Sequence, residues 1–499
     1  MIQPSIEEVT IVELHAAYRS GSATAVDVTR AYLDRIEAYD RRGPYLNSLI
    51  TVNPNALDDA ARLDAVLQRS GELEGPLHGI PVIVKDNLDT RDMPTTSGVR
   101  LFKDFVPTRD AFLVERLRRA GAILIAKASL SELAMGLPDN INSVLAGFTR
   151  NPYNLAYASG GSSGGTGVAV AANFGTIGVG TDTGGSVRAP ASINNLVGIR
   201  PTVGLVSRTG MAPLDSQRDT PGPMTRSVED AARLLDVLAG IDPRDSRTAL
   251  AVGHIPQTYT AFLQPDGLRG GRIGVFRQAF GLADGADARV VSLFDAAVAD
   301  LRGAGAEVVD EVRVAGFEDF PRPPQTAATT KADWERFFAY EGASFPIKRV
   351  ADLRDAPQGK RVHPLHSGRI AEIAAVTLAP EDDPETIQGR KDEQRYRDAF
   401  SSAMESAGVD ALALPVWTFP PVVLGDRGQS PLGAMTYIGS ALQWPVAVVP
   451  MGFVGEQLPI GMQLLGRPWS EGQLIRFAYA YEQATHHRRP PASVPPLAR

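Results

Sequence analysis

Two clusters of glycine and serine carry the densest chemical signal in the chain. The first reads Ser159-Gly160-Gly161-Ser162-Ser163-Gly164-Gly165. The second reads Gly180-Thr181-Asp182-Thr183-Gly184-Gly185-Ser186-Val187-Arg188. Each glycine loses much backbone freedom on ordering, so glycines this close together point to unusual dihedrals or to close approach of another group. A pair of flexible loops is the plainer reading, but well-patterned segments follow both clusters. Amide hydrolysis needs a nucleophile, a base to take its proton and donors for the oxyanion. Gly184-Gly185-Ser186 offers two side-chain-free amides beside a hydroxyl. Lys85 follows the apolar run Ile80-Pro81-Val82-Ile83-Val84 and so falls at the C-terminal end of a strand, the sheet edge where α/β proteins place their sites. Desolvation there lowers a lysine's pKa toward the range of a useful base. Composition alone would favour a surface lysine.

Two other chemistries fit less well. No Gly-x-x-x-x-Gly-Lys-Ser/Thr or Gly-x-Gly-x-x-Gly string occurs in this stretch, which weakens a nucleotide reading. Gly160 to Gly164 matches the Gly-x-Ser-x-Gly elbow, with His254, His363, His366, His486 and His487 downstream, but an elbow needs a strand before it. The preceding Asn151-Pro152-Tyr153-Asn154 is a turn signal. His486-His487 beside two arginines reads as a solvated helix end. The proline within His363-Pro364-Leu365-His366 makes a poor metal pair. No metal site and no cofactor are expected.

The composition narrows the class. In 499 residues there is no cysteine, which excludes disulfides, zinc-thiolate and iron-sulfur sites and a cysteine nucleophile. Hydrophobic residues at 43% and charged residues at 21% are globular values. A net charge of -7 leaves no electrostatic footprint for nucleic acid. The start has neither a basic n-region nor an apolar h-region, and no run of about 18 apolar residues occurs. The expectation is a cytoplasmic protein without a membrane span.

These residues need elements to hold them. Thr10 with Glu13, and Thr24 with Asp27, read as capping boxes opening two helices within the first 40 residues. A third helix is expected over Asn55 to Gln68. Ile80 to Val84, a helix over Ala111 to Ala120, and Ala122 to Ala126 make a βαβ pattern, which predicts parallel strands. Further strands are expected at Thr176 to Gly180, Arg272 to Phe276, Glu307 to Val312, Ala411 to Leu414, Val446 to Val449 and Gly461 to Leu465. Helices are expected at Val228 to Ala239 and Asp287 to Arg302. The pattern predicts one large α/β domain with a central mixed, mostly parallel β-sheet covered by helices. Residues 1–70 are its N-terminal helices, 71–240 its core and 241–499 the remainder of the same domain. Charged and proline-rich residues at about 315–405, with helical stretches over Thr330 to Tyr340 and Asp383 to Met404, read as a peripheral entrance region. The tail from Arg489, with four prolines, reads as a loose surface strap.

The motifs closely resemble those of the amidase signature family over at least residues 75 to 235. His78-Gly79-Ile80-Pro81 through Lys85-Asp86-Asn87 is similar to the family's catalytic-lysine segment. Gly160 to Gly165 is similar to its Gly-Gly-Ser-Ser-Gly-Gly motif, and Gly180 to Arg188 to its Gly-x-Asp-x-Gly-Gly-Ser-x-Arg motif. The 24-residue step from Ser162 to Ser186 is the family's spacing. Gly198-Ile199-Arg200-Pro201-Thr202, Gly222-Pro223-Met224 and Leu458 to Leu464 also fit. The resemblance implies a Ser–cis-Ser–Lys triad. Ser186 would be the nucleophile, and Ser162 would bridge it to Lys85 across a cis Gly161–Ser162 peptide. The amides of Thr183, Gly184, Gly185 and Ser186 would form the oxyanion hole. Ser163 would join the lysine–serine network, and Asp182 with Arg188 would hold the nucleophile loop in a structural role. Asp86 and Asn87 would orient the lysine or end its strand.

The family varies its pocket where Met135, Gly136, Leu137 and the 315–405 region lie. Met135, Gly136, Leu137 and Trp444 are candidate pocket residues. Trp334, Phe337, Phe338 and Tyr340 could also line an apolar site, although such residues are more often ordinary core. The implied activity is amidase action on a linear, non-peptide carboxamide, anilide or related small-molecule acyl C–N bond, with possible ester or carbamate side activity. The alternative is the glutaminase subunit of a tRNA-dependent amidotransferase complex. Pro213 to Pro221 looks more like the solitary amidases. Intact Lys85, Ser162 and Ser186 argue against a silent binding scaffold. The C-terminal third could support a homodimer.

Overall fold

In the computed structural model, residues 6–135, 142–143, 145–281, 286–320, 324–425 and 435–497 are described. The short apolar runs form strands because burial on both faces rewards β-branched and aliphatic side chains at every position. The strands are β1 (Leu49–Val52), β2 (Pro81–Lys85), β3 (Ile123–Ala128), β4 (Asn142–Ser143), β5 (Gly147–Phe148), β6 (Ile177–Asp182), β7 (Val197–Arg200), β8 (Thr220–Thr225), β9 (Arg272–Val275), β10 (Glu307–Asp310), β11 (Ala411–Pro415), β12 (Val446–Val454) and β13 (Leu458–Gly466). β4 and β5 pair only with each other. Among the described residues, the other eleven form one sheet in the order β1-β3-β2-β6-β8-β7-β12-β13-β11-β9-β10. Strands from both the 71–240 and the 241–499 segments therefore share one layer.

The sheet is mixed, as expected, but it is not mostly parallel. β3-β2-β6 and β11-β9-β10 are parallel runs, while the six other neighbouring pairs are antiparallel. The parallel expectation extended the first βαβ unit over the whole chain. The centre is instead built from β7, β8 and the β12–β13 hairpin. β1, β7 and β8 lie outside the strands expected from sequence. β8 reads Thr-Pro-Gly-Pro-Met-Thr, and prolines ordinarily argue against a central strand.

Local signals fared better. Both capping boxes form: Thr10 and Thr24 each accept the N–H three residues on, and Glu13 and Asp27 each accept the N–H of the capping threonine. Within the 315–405 region the described residues form helices Ala327–Glu341, Val350–Arg354, Pro364–Ala375 and Pro384–Ala407. Trp334, Phe338, Phe345 and Ile370 pack there against Phe102, Phe105 and Leu133. The tail is not loose. Val494 is buried, and Arg35 donates to its carbonyl at 2.9 Å. The Ser493 hydroxyl donates to Pro152 O at 2.5 Å.

The helix Gly164–Ala171 starts directly after Ser162-Ser163 and is buried along its whole length. Its last carbonyls have no partners within the helix. Three arginines from remote segments fill that role: Arg226 donates to Val170 O at 3.2 Å, Arg488 to Ala171 O at 3.1 Å and Arg35 to Ala172 O at 3.1 Å. Cations at a helix C-terminus also complement its dipole. Near its other end, a Cβ on Gly165 would lie 2.5 Å from Ser129 N and from Ser48 O. Replacing glycine by alanine inside a helix ordinarily stabilises by about 1 kcal/mol. Overpacking costs about 1–3 kcal/mol, and backbone atoms cannot swing aside as side chains do. Gly165→Ala is therefore expected to lower the urea midpoint; an unchanged or raised midpoint would contradict this packing.

Candidate active site

β2 and β6 are parallel neighbours, with Val82 beside Ile177 and Val84 beside Val179. Their C-terminal ends therefore reach the same sheet edge together. Lys85 ends β2 and is fully buried. Its Nζ donates to Ser162 Oγ at 2.7 Å, to Thr181 Oγ1 at 2.8 Å and to Thr181 O at 3.3 Å. Asn87 Nδ2 donates to the same Thr181 hydroxyl at 3.1 Å, so it braces the lysine's partner. Burial pulls the Lys85 pKa down to about 7, against the opposing pull of the Asp182 and Asp219 carboxylates.

The Gly161–Ser162 peptide is cis. Ser162 O accepts the Ser131 N–H at 3.2 Å. Ser163 joins the two motif loops. Its hydroxyl donates to Thr181 O at 3.1 Å and accepts the Thr181 N–H at 3.2 Å, while its own N–H donates to Ser186 O at 3.2 Å. Ser186 is 8% exposed and sits between the end of β6 and the helix Arg188–Ile193.

The loop that carries Ser186 is organised around one carboxylate. Asp182 accepts the N–H of Gly185 at 3.0 Å and of Val187 at 3.1 Å. Arg188 binds both of its oxygens, at 3.0 and 3.1 Å, and Arg200 binds Oδ1 at 2.7 Å. Burial by itself would raise the Asp182 pKa. The Arg188 and Arg200 guanidiniums overcome that and hold the carboxyl well below its ordinary value. Gly185 adopts φ 125°, where other residues are strained, and a Cβ there would run into the Thr436 side chain. The Thr436 hydroxyl in turn donates to Gly184 O at 2.8 Å, which fixes that peptide's orientation. Among the described residues, a Cβ on Gly184 would meet nothing within 4 Å. The Thr183 hydroxyl donates to Asp219. The result is a hydroxyl on a braced turn rich in backbone N–H groups, and Ser163 ties that turn to the segment whose Ser162 meets the buried Lys85 amine.

Of the residues proposed from sequence, Lys85, Ser162, Ser163, Thr183, Asp182, Gly184, Gly185, Ser186 and Arg188 converge here. Met135 is half-buried against the Trp334 cluster, and Gly136 and Leu137 lie outside the described residues. Trp444 is buried in an apolar cluster with Ile438, Leu442 and Val446. Trp334 and Phe338 are core, and Trp334 Nε1 donates to Pro213 O at 2.7 Å. Phe337 and Tyr340 line a cavity of about 330 Å³ together with Met211, Pro213 and Asp219. Sequence reading missed roles for Thr181, Arg200, Asp219 and Thr436. The first three lie inside or beside motif segments, whereas nothing in the local sequence marks Thr436.

A family model described as Amidase matches residues 27–475. The chain belongs to the amidase family. A solved structure similar to it is native peptide amidase from Stenotrophomonas maltophilia: TM-score 0.87, 37% identity, covering 97% of this chain and 98% of that one. Among curated relatives, a glutamyl-tRNA(Gln) amidotransferase subunit of Synechococcus sp. (strain JA-2-3B'a(2-13)) is 36% identical over 494 residues, covering 97% of this chain and 93% of that protein. The solved glutamyl-tRNA(Gln) amidotransferase subunit from Thermotoga maritima has a TM-score of 0.73 at 27% identity, covering 97% of this chain and 96% of that one. No helix among the described residues of this amidase-family chain is long and apolar enough to cross a membrane.

Removing the Asp182 charge would leave two buried guanidiniums uncompensated, a change that typically costs about 3–5 kcal/mol. Asp182→Asn is expected to lose stability on that scale in urea denaturation, and a loss below about 1 kcal/mol would contradict the arrangement. Because the folded carboxyl lies below its ordinary value of 3.8, its contribution is complete above that pH and drains away as the pH falls further.

Proposed function

We propose that this amidase-family protein hydrolyses carboxamides, anilides or related acyl C–N bonds through an acyl-enzyme on Ser186. The observation that carries the reading is the 2.7 Å contact between the buried Lys85 amine and Ser162 Oγ, on a segment tied to the Ser186 loop. In the neutral form, Lys85 accepts a proton from Ser162 as Ser162 accepts one from Ser186 Oγ. The Ser186 oxygen attacks the acyl carbon, and the backbone N–H groups of Thr183, Gly184, Gly185 and Ser186 stabilise the oxyanion. The relay returns its proton to the leaving nitrogen as the C–N bond breaks. Water, deprotonated through the same relay, then cleaves the acyl–serine bond to give the acid and restores Ser186. Esters and carbamates present the same acyl carbon and are expected side substrates. The likeness to a peptide amidase supports peptide amides as substrates alongside non-peptide ones. A cytoplasmic location belongs to this reading.

The curated relatives from glutamyl-tRNA(Gln) amidotransferases support a second reading, a glutaminase that acts inside an amidotransferase complex. The higher structural similarity to the peptide amidase favours the first. Turnover of small amides by the isolated chain supports a stand-alone amidase; glutamine hydrolysis seen only with partner subunits supports the second reading.

A fluorophosphonate probe is expected to add once to the wild-type protein, at Ser186, and not to a folded Ser186→Ala variant. An adduct elsewhere, or labelling of both proteins, overturns the mechanism. Lys85 must be neutral to act, so kcat/KM is expected to rise with pH through about 7. Lys85→Ala should lose that limb together with most of the activity; a residual rate that keeps the wild-type limb would remove Lys85 from the mechanism.

A further inference from the structure

One carboxyl group that this chemistry does not use lies against the residues that would perform it. Asp219 is 2% exposed. One of its oxygens accepts the Thr183 hydroxyl. The other accepts the N–H groups of Leu214 at 2.8 Å and Asp215 at 3.0 Å. No described cation forms an ion pair with it. The charges that act with it are Lys85 from β2, Arg200 from β7, Arg208 and, on its own turn, Asp215. Around the neighbouring cavity stand Arg208, Arg244, Asp245, Asp333 and Arg336. The arginines in this set are committed elsewhere: Arg200 to Asp182, Arg208 to Asp245, Arg244 to Asp242 and Arg336 to Asp333. Asp219 is thus a carboxyl held by three hydrogen bonds, and the 330 Å³ cavity it lines gives it a route for proton exchange with water.

We propose that Asp219 is a positioning residue for the amidase reaction: through the Thr183 hydroxyl it fixes the first of the backbone amides that face the acyl oxygen, and its charge acts on Lys85 across the site. The proposal rests on the acyl-enzyme reading above. Geometry gives the first part. Thr183 is the point where β6 ends and the Ser186 loop begins. Its side chain is anchored on one flank by Asp219, while Asp182 and Thr436 anchor the residues that follow. Electrostatics gives the second. Burial lifts the Asp219 carboxyl to about 7, with Asp215 adding to the lift and the hydrogen bonds opposing it, so it ionises in the same range in which Lys85 loses its proton. A nearby anion favours the ammonium form of a lysine. Removing the Asp219 charge therefore moves Lys85 toward its neutral form and the acid limb to lower pH. A side chain with a purely structural role would lower the rate at every pH and leave the limb in place.

The test is the rate of fluorophosphonate labelling at Ser186 in the wild-type protein, Thr183→Val and Asp219→Asn, followed from about pH 5 to 9. Thr183→Val keeps the carboxylate and the side-chain shape and removes only the hydroxyl. It is expected to label about tenfold more slowly or worse. Asp219→Asn should slow labelling similarly and lower the midpoint by on the order of half a pH unit or more. A wild-type rate in Thr183→Val overturns the proposal whether or not Asp219→Asn folds, and a wild-type midpoint in folded Asp219→Asn overturns it as well. Absence of labelling at Ser186 in the wild-type protein would instead overturn the acyl-enzyme reading itself, and this proposal with it.

Discussion

A buried anion at the end of one strand holds the site together. The Asp182 carboxylate receives two backbone N–H groups of the following loop and two guanidinium groups, from a helix and from β7, two strands away in the sheet. A carboxylate removed from water is costly unless such donors surround it. Here two of those donors are N–H groups of the loop that presents Ser186. The need to satisfy one charge thus dictates the course of a glycine-rich turn that has little conformational preference of its own.

That cluster also governs Lys85. Asp182 attracts the lysine, but its close contacts are taken by Arg188, Arg200 and the loop N–H groups, and no described ion pair joins it to Lys85. Burial then decides, and the Lys85 amine drops to about 7 although two carboxylates stand within its electrostatic reach. Thr181 and Ser162 supply hydrogen-bond partners that suit a neutral amine as well as an ammonium ion. A lysine salt-bridged directly to Asp182 would stay charged and could accept no proton.

Ser162 is held from two sides. Its carbonyl is bound by Ser131 in the segment after β3, and the helix that starts just beyond it is wedged at Gly165 against Ser129 and Ser48. At the far end, Arg35, Arg226 and Arg488 close the helix with side chains drawn from the first helices, the middle of the chain and the C-terminal segment. The antiparallel centre of the sheet sets β8 beside β6 and β7 beyond β8, and with them Asp219 and Arg200. The 315–405 helices cover the flank where the cavity beside Asp219 opens.

Features that depend on neighbours in the chain were legible from sequence. The capping boxes at Thr10 and Thr24 formed because both partners lie within one turn of a helix. β2, β3, β6 and the strands from β9 onward, except for their exact ends, followed from apolar runs whose burial needs no knowledge of the partner strand. Ser162, Ser186 and Asp182 stood out because they sit in glycine clusters that are costly to order, whereas Lys85, a surface lysine by composition alone, was singled out by the family resemblance. Strand direction could not be read in this way. It depends on which strands meet, and the Pro-Gly-Pro of β8 lies between β6 and β7 against the ordinary rule for a central strand. Nor could the roles of Thr436, Arg200 and Asp219 be assigned, since a threonine, an arginine or an aspartate has no characteristic spacing until the fold sets it against Gly184, Asp182 or Thr183. Sequence by itself determined which groups could do the chemistry, because composition and local spacing limit what each side chain can be. Only the tertiary structure decided which charges surround them, because electrostatic environment is a property of non-local contacts.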